Sequence, residues 1–168
     1  MGGRVVVVDV DGVVSAVYPR TSAWGDEVVA GSVFGPVMVS PTLCRRLDAL
    51  ATLPGVECVW LTSWDARMRA AMQPFPGSTW RTVTGPEEAS ALPNKGWWKL
   101  AALDTWLASQ RDVEAVAWCD DHLRGGRPAA ARRRLARRGL DVLLLHPDTA
   151  VGLTPEDLQR LQDWTQSQ

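Results

Sequence analysis

At 168 residues the chain is one domain's worth against a usual size of roughly 100 to 200 residues, and 46% hydrophobic with 22% charged residues exclude disordered and fibrous classes. Its longest aliphatic runs, Val5 to Val8 and Val142 to Leu145, fall far short of the roughly 20 apolar residues of a membrane-spanning helix. The net charge of −1 conceals a division: Arg124 to Arg138 holds seven arginines and no acid, leaving 11 of the 18 basic residues against all 19 acidic ones.

The opening MGGRVVVVDVDG lacks the long apolar stretch and cleavage site of a secretory signal, so the expected compartment is the cytoplasm. Arg4 to Val10 is a Val-rich run suited to a strand buried on both faces. Residues Ser15 to Ser40 are rich in Gly, Pro and Val and predict a flap insert with a short hairpin around Gly31-Ser32. Ser40-Pro41 starts a helix striped by Leu43, Leu47 and Leu50 and ended by Pro54-Gly55. Glu57 to Leu61 reads as the next strand, Asp65 to Gln73 as a helix, and Thr79 to Thr84 as a further strand. Leu100, Leu103 and Leu107 predict a helix from Trp98 to Ala108. A strand over Val113 to Cys119, a helix over Pro128 to Arg138 closed by Gly139, and a strand over Asp141 to Leu145 come next. Thr154-Pro155 caps a last helix bearing Leu158, Leu161 and Trp164. Cys44, Cys58 and Cys119 are odd in number, widely separated and without zinc spacing, so they read as buried reduced thiols. The whole chain, 1–168, reads as one α/β domain with a parallel sheet between helices, and such folds bind ligands at the carboxyl ends of their strands.

That rule directs attention to the residues just beyond each strand. Asp9 and Asp11 sit at i and i+2 after the first, on one side of an extended chain. Thr62-Ser63 comes after the second, Asp120-Asp121 after the Val113 strand, and Lys99 opens a helix. Each type has a task in phosphoryl transfer. Asp120 and Asp121 supply hard oxygens for Mg²⁺, and Lys99 a fixed positive charge, which together screen a carboxylate approaching an anionic phosphate. Asp9 is then the nucleophile, Asp11 the acid and base, and Thr62 with Ser63 a donor set for phosphate oxygens.

The set DVDGV (Asp9 to Val13), VWLTS (Val59 to Ser63), WKL (Trp98 to Leu100) and WCDD (Trp118 to Asp121) resembles, in order, the four motifs of the haloacid dehalogenase (HAD) superfamily. More narrowly, LTSW, WWKLAALDTW and AWCDD resemble the HAD phosphatase domain of bacterial "Swiss army knife" RNA-repair proteins. The resemblance spans nearly the whole chain. It implies a three-layer Rossmann-like core of about five parallel strands, in which the lengths of the stretches between motifs leave room for a minimal flap over 15–40 and for no large cap domain. It also implies Mg²⁺ as cofactor, Asp9, Asp11, Thr62 and Lys99 as catalytic residues, phosphate held by Thr62, Ser63 and Lys99, and metal held at Asp9, Asp11, Asp120 and Asp121. At the Asp11 position the family uses the backbone carbonyl. An acid at that position sets the chain apart from the dehalogenase and P-type ATPase branches.

Other readings of the same residues exist. Asp-Gly is a common turn, and Thr62-Ser63 could cap a helix. Lys95 and Lys99 are the two lysines among 16 arginines; Lys99 begins a periodic helix whereas Lys95 sits in a Pro-Asn-Lys-Gly turn, which favours Lys99. His122 beside the Asp pair reads as a surface histidine, because hard-oxygen chemistry in the same motif argues against a His-Cys site. Trp24, Trp64, Trp97 and Trp98 lie beside the motifs as stacking residues for a base, and Arg127, Arg132, Arg133 and Arg134 as phosphate contacts. The expected function is therefore a Mg²⁺-dependent phosphatase with an aspartyl-phosphate intermediate, acting on a polynucleotide end. The alternatives are a small-metabolite or nucleotide phosphatase and a non-catalytic nucleic-acid-binding module.

Overall fold

The structure is a computed structural model that describes residues 3–18, 22–30, 36–72, 74–83 and 97–167. In chain order its elements are β1 (Gly3–Val8), β2 (Ser15–Ala16), β3 (Val28–Ala30), β4 (Val37–Val39), α1 (Pro41–Leu50), β5 (Val56–Trp60), α2 (Ala66–Ala70), β6 (Arg81–Thr82), α3 (Trp98–Ala108), β7 (Val113–Cys119), α4 (Arg127–Ala136), β8 (Asp141–Leu145) and α5 (Pro155–Gln166). Five strands form a parallel sheet in the order β6-β5-β1-β7-β8.

Valine fills the central strand because a strand covered on both faces has no polar side to satisfy. Successive side chains of β1 point to opposite faces. Val6 and Val8 join Leu43 and Leu47 of α1 and Leu158 and Leu161 of α5 in one apolar layer. Val5 and Val7 join Leu103 and Leu107 of α3 and Leu135 of α4 in the other. The expected three-layer α/β architecture results from this alternation. Strands β1 and β7 are neighbours whose next sheet partners lie in opposite directions, β5 on one side and β8 on the other. Such a switch point opens a crevice beyond the strand ends, and Asp9 and Asp120 are the residues that come directly after those two strands.

Several boundaries differ from the sequence expectation, each for a local reason. Strand β1 stops before Val10, because the N–H groups of Val13, Val14 and Ser15 all converge on the Val10 carbonyl at 3.2, 3.0 and 3.1 Å and wind the chain into a turn. The helix expected from Asp65 is confined to Ala66–Ala70, with Asp65 as the N-cap accepting the Met68 N–H at 2.8 Å; Gln73 lies outside the described residues. The strand expected from Thr79 is confined to Arg81–Thr82. Trp80 is held in a turn by its N–H on the Gly77 carbonyl at 3.1 Å, with its ring 4.7 Å from that of Trp60, and Thr84 lies outside the described residues. Helix α4 ends at Ala136 rather than Arg138, with Arg137 as its C-cap. Helices α1 and α5 start as expected, Ser40 Oγ accepting the Leu43 N–H at 3.0 Å and Thr154 Oγ1 the Asp157 N–H at 3.1 Å.

The insert forms a second, antiparallel sheet in the order β2-β4-β3. Its arms β3 and β4 are those of the expected hairpin, whose turn at Gly31-Ser32 lies outside the described residues. The Asp26 carboxylate ties the insert to the start of α1, accepting from Ser40 Oγ at 2.5 Å and from the Thr42 N–H and Oγ1 at 3.0 and 2.6 Å. The three cysteines are buried and unpaired. No helix among the described residues is long and apolar enough to cross a membrane.

Candidate active site

The chain ends β1 and β7 on adjacent carboxylates, and the first turn of α3 delivers an ammonium between them. Lys99 Nζ donates to Asp9 Oδ2 at 2.5 Å and to Asp120 Oδ2 at 2.7 Å, with all three side chains at most 7% exposed. The remaining oxygens are satisfied by the backbone: Asp9 Oδ1 accepts the Val10 N–H at 2.7 Å and Asp120 Oδ1 the His122 N–H at 2.8 Å. Charges so enclosed persist only if paired and hydrogen-bonded. Burial alone would lower the Lys99 pKa, but Asp9 and then Asp120 raise it above the ordinary lysine value. Burial pushes the Asp120 carboxyl up to about 6, opposed by Lys99 and reinforced by the charge of Asp9. One ammonium against two carboxylates leaves the cluster short of positive charge.

A cation is what this donor set fits. Asp9, Asp120, Asp121 and His122 bring ligand atoms within 4.8 Å of one another. Three of the four offer hard carboxylate oxygens, the preference of Mg²⁺ and its like. Asp121 Oδ2 accepts the Thr149 hydroxyl at 2.6 Å, whereas its Oδ1 is buried with no aligned hydrogen bond, His122 Nδ1 lying 2.7 Å away. A buried oxygen without an aligned hydrogen bond is one that a cation can take up. The cluster is packed tightly against the preceding turn. Gly12 has φ +69°, and a Cβ there would lie 2.5 Å from Asp121 Oδ2, so no other residue fits without displacing the acid.

The ligand expected at Asp11 is its backbone carbonyl, and its carboxylate stands outside the four-residue group. Its Oδ2 instead accepts the Trp64 indole N–H at 2.8 Å, leaving Asp9, Asp120 and Asp121 as the carboxylates that gather. Burial raises its pKa, and the Trp64 bond opposes the rise only in part. A half-buried carboxyl raised in this way is suited to carrying a proton. Thr62 is fully buried at the end of β5, its Oγ1 accepting the Trp64 N–H at 3.2 Å, and Ser63 beside it is exposed.

The mouth above these groups is a cleft of about 430 Å³ lined by Asp11, Val17, Asp121, His122, Arg124, Arg127 and Thr149. Of the aromatic and basic residues expected to meet a substrate, the structure brings Arg127 to this mouth. Trp64 is 4% exposed and serves Asp11 rather than presenting a face. Trp24 lines a separate cavity of about 240 Å³ under the insert, its indole N–H on the Leu153 carbonyl at 2.8 Å. Arg132 donates to the Val142 carbonyl at 3.2 Å, and Arg134 pairs with Asp104. Lys95 lies outside the described residues. His122, expected at the surface, is exposed and yet joins the acid cluster. Sequence reasoning missed Thr149 and Arg124. Thr149 lies four residues beyond β8, so the strand-end rule applied to the last strand would have found it; Arg124 was hidden in an arginine run read as one unit.

Among known families, the model describing the HAD domain in Swiss Army Knife RNA repair proteins matches residues 5–158. No curated protein and no solved structure matches the chain.

Proposed function

The chain belongs to the HAD domains of Swiss Army Knife RNA repair proteins, and from that premise we propose that it is a Mg²⁺-dependent phosphatase that acts through an aspartyl-phosphate on Asp9, with a phosphorylated polynucleotide end as substrate. The observation that carries this reading is the buried Lys99 bridge between Asp9 and Asp120, beside an Asp121 oxygen with no aligned hydrogen bond among the described residues. Asp9, Asp120 and Asp121 would hold the metal, which when bound offsets negative charge where phosphate and carboxylate meet. Lys99 fixes the Asp9 carboxylate in place and adds positive charge there. Asp9 attacks phosphorus, forming a new P–O bond as the bond to the leaving oxygen breaks, and Asp11 gives that oxygen its proton. A water then attacks the aspartyl-phosphate, Asp11 takes its proton, and Asp9 is released with inorganic phosphate. Trp64 keeps the Asp11 carboxyl turned to this task through its indole N–H. Thr62, at the end of β5, supplies a hydroxyl for a phosphate oxygen.

The test is hydrolysis of an aryl phosphate and of phosphorylated oligonucleotide ends with and without Mg²⁺, in wild type, Asp9→Asn and Asp11→Asn. Asp9→Asn is expected to abolish turnover, and Asp11→Asn to lower it by about 100- to 10,000-fold. Wild-type rates in either variant, or no Mg²⁺-dependent hydrolysis at all, would overturn the reading. Turnover of small phosphates alone would leave a metabolite phosphatase, and binding that survives loss of both Asp9 and the metal a non-catalytic module.

A further inference from the structure

Two pairs of arginines around α4 stand in different surroundings. Arg134 and Arg138 are committed to Asp104: Arg138 Nε donates to Oδ1 at 2.6 Å and Arg134 Nε to Oδ2 at 2.7 Å. Arg124 and Arg127, at the start of the same segment, have no carboxylate within ion-pair distance among the described residues. Arg124 donates to Thr149 Oγ1 at 2.5 Å and Arg127 to the His122 carbonyl at 3.2 Å. The Arg127 guanidinium also lies over the Trp97 ring at 5.0 Å, and Trp97 stacks at 4.7 Å and 9° on the fully buried Trp118. Its charge is therefore held in place but not neutralised.

These two arginines are also where two clefts meet. Both line the catalytic mouth, and both line a second cleft of about 930 Å³ whose other lining residues include Trp97, Trp98 and Arg134. The acid in that second wall, Asp104, is already covered by its two arginines. A path thus runs from the catalytic acids past two uncompensated guanidinium groups to a half-buried tryptophan. Guanidinium groups match phosphate oxygens, and tryptophan faces match nucleobases.

We propose that Arg124 and Arg127 form a subsite for the first phosphodiester inward from the reacting phosphate, and that the cleft against Trp98 seats the nucleoside beyond it. This rests on the phosphatase reading for the position of the reacting end, and it makes a terminally phosphorylated dinucleotide the smallest full substrate. The site distinguishes polynucleotide from mononucleotide through one internal charge and one base.

The experiment compares, on the wild-type protein with Mg²⁺, a phosphorylated mononucleotide, a dinucleotide with the same terminal phosphate, that dinucleotide with an uncharged methylphosphonate linkage, and one lacking the inner base. The charged dinucleotide is expected to exceed the mononucleotide in kcat/KM by about tenfold or more, and neutralising the linkage to remove about tenfold. Removing the inner base is expected to cost about fivefold or more. Arg124→Ala and Arg127→Ala should each pull the dinucleotide-to-mononucleotide ratio toward one, whereas Arg111→Ala, at the other end of the sheet, should leave it unchanged. Equal rates for charged and uncharged linkages overturn the subsite. Failure to hydrolyse any phosphate, aryl phosphate included, overturns the phosphatase reading instead. Affinities of the same four ligands for Asp9→Asn, measured by titration calorimetry, then decide the subsite by the same ratios.

Discussion

Lys99→Met keeps the unbranched apolar stem and deletes the ammonium, which isolates the contribution of one charge. In the wild-type protein Asp9 is 4% and Asp120 0% exposed, and Lys99 binds both. The variant leaves two enclosed carboxylates without their counter-charge, a situation that costs about 3–5 kcal/mol when one partner of a buried pair is removed. For a protein of this size each kcal/mol moves Tm by about 2–4 °C, so the fall in chelator is about 6–20 °C. Burial already pushes the Asp120 carboxyl up to about 6 against the opposing pull of Lys99, so without the ammonium it takes up a proton at a higher pH and the deficit narrows as the solution is acidified. Millimolar Mg²⁺ should recover more of the loss in Lys99→Met than it adds to wild type, since the ion becomes the main remaining source of positive charge in the cluster. Thermal unfolding monitored by circular dichroism in chelator and in Mg²⁺ reads both effects, with Lys95→Met as the companion expected to change neither. A Lys99→Met protein melting within about 2 °C of wild type in chelator at neutral pH would refute the reasoning.

Gly12→Ala should cost about 2 kcal/mol or more, since an L-residue at positive φ is strained and its Cβ would meet Asp121 Oδ2 at 2.5 Å. Urea denaturation reads the loss, and a weaker Mg²⁺ affinity by calorimetry should accompany it; unchanged affinity would mean that Asp121 is not a ligand. Asp104→Asn should lower Tm at neutral pH. Burial would raise the Asp104 carboxyl, but the bonds from Arg138 and Arg134 outweigh it and hold the pKa below the ordinary carboxylate value. Its stabilisation is therefore complete above that ordinary value and lost as pH falls through the lower folded one. A Tm difference from wild type that does not shrink in strong acid would argue against the pairing.

The central strands and the helices beside them were legible in the sequence because their signals are local: four consecutive valines, leucines at helical spacing, and a Ser-Pro or Thr-Pro cap. Short elements were less so. Asp11-Gly12 marks a turn but not that three N–H groups would gather on the Val10 carbonyl and end the strand early, and Trp80 turns where its ring finds Trp60, a contact with no local pattern of residue types. The same distinction runs through the site. Lys99, Asp9 and Asp120 were foreseen from their places at strand and helix ends, and the structure brings them together. That Trp64 serves Asp11 across 53 positions, or that Trp24 belongs to another cavity, depends on how helices settle on the sheet. A tryptophan beside a motif has no local mark that separates a supporting role from a presented face.

The lopsided charge of the sequence becomes intelligible at the mouth. Three buried carboxylates repel an incoming phosphate, and one bound lysine does not cancel them. Placing more cations inside would tie them to the acids, as Lys99 is tied, and would close the space in which chemistry takes place. Placing them on the rim, fixed by hydrogen bonds to Thr149 and His122 and by packing on Trp97, keeps them uncompensated and close enough to draw an anion in. The helix that carries Arg127 must itself be held against α3, and Arg134 and Arg138 do this through Asp104. Four of the seven arginines in these 15 residues thus divide by position: Arg124 and Arg127, at the start of the segment, line the mouth, and Arg134 and Arg138, a turn or more later, secure it through Asp104.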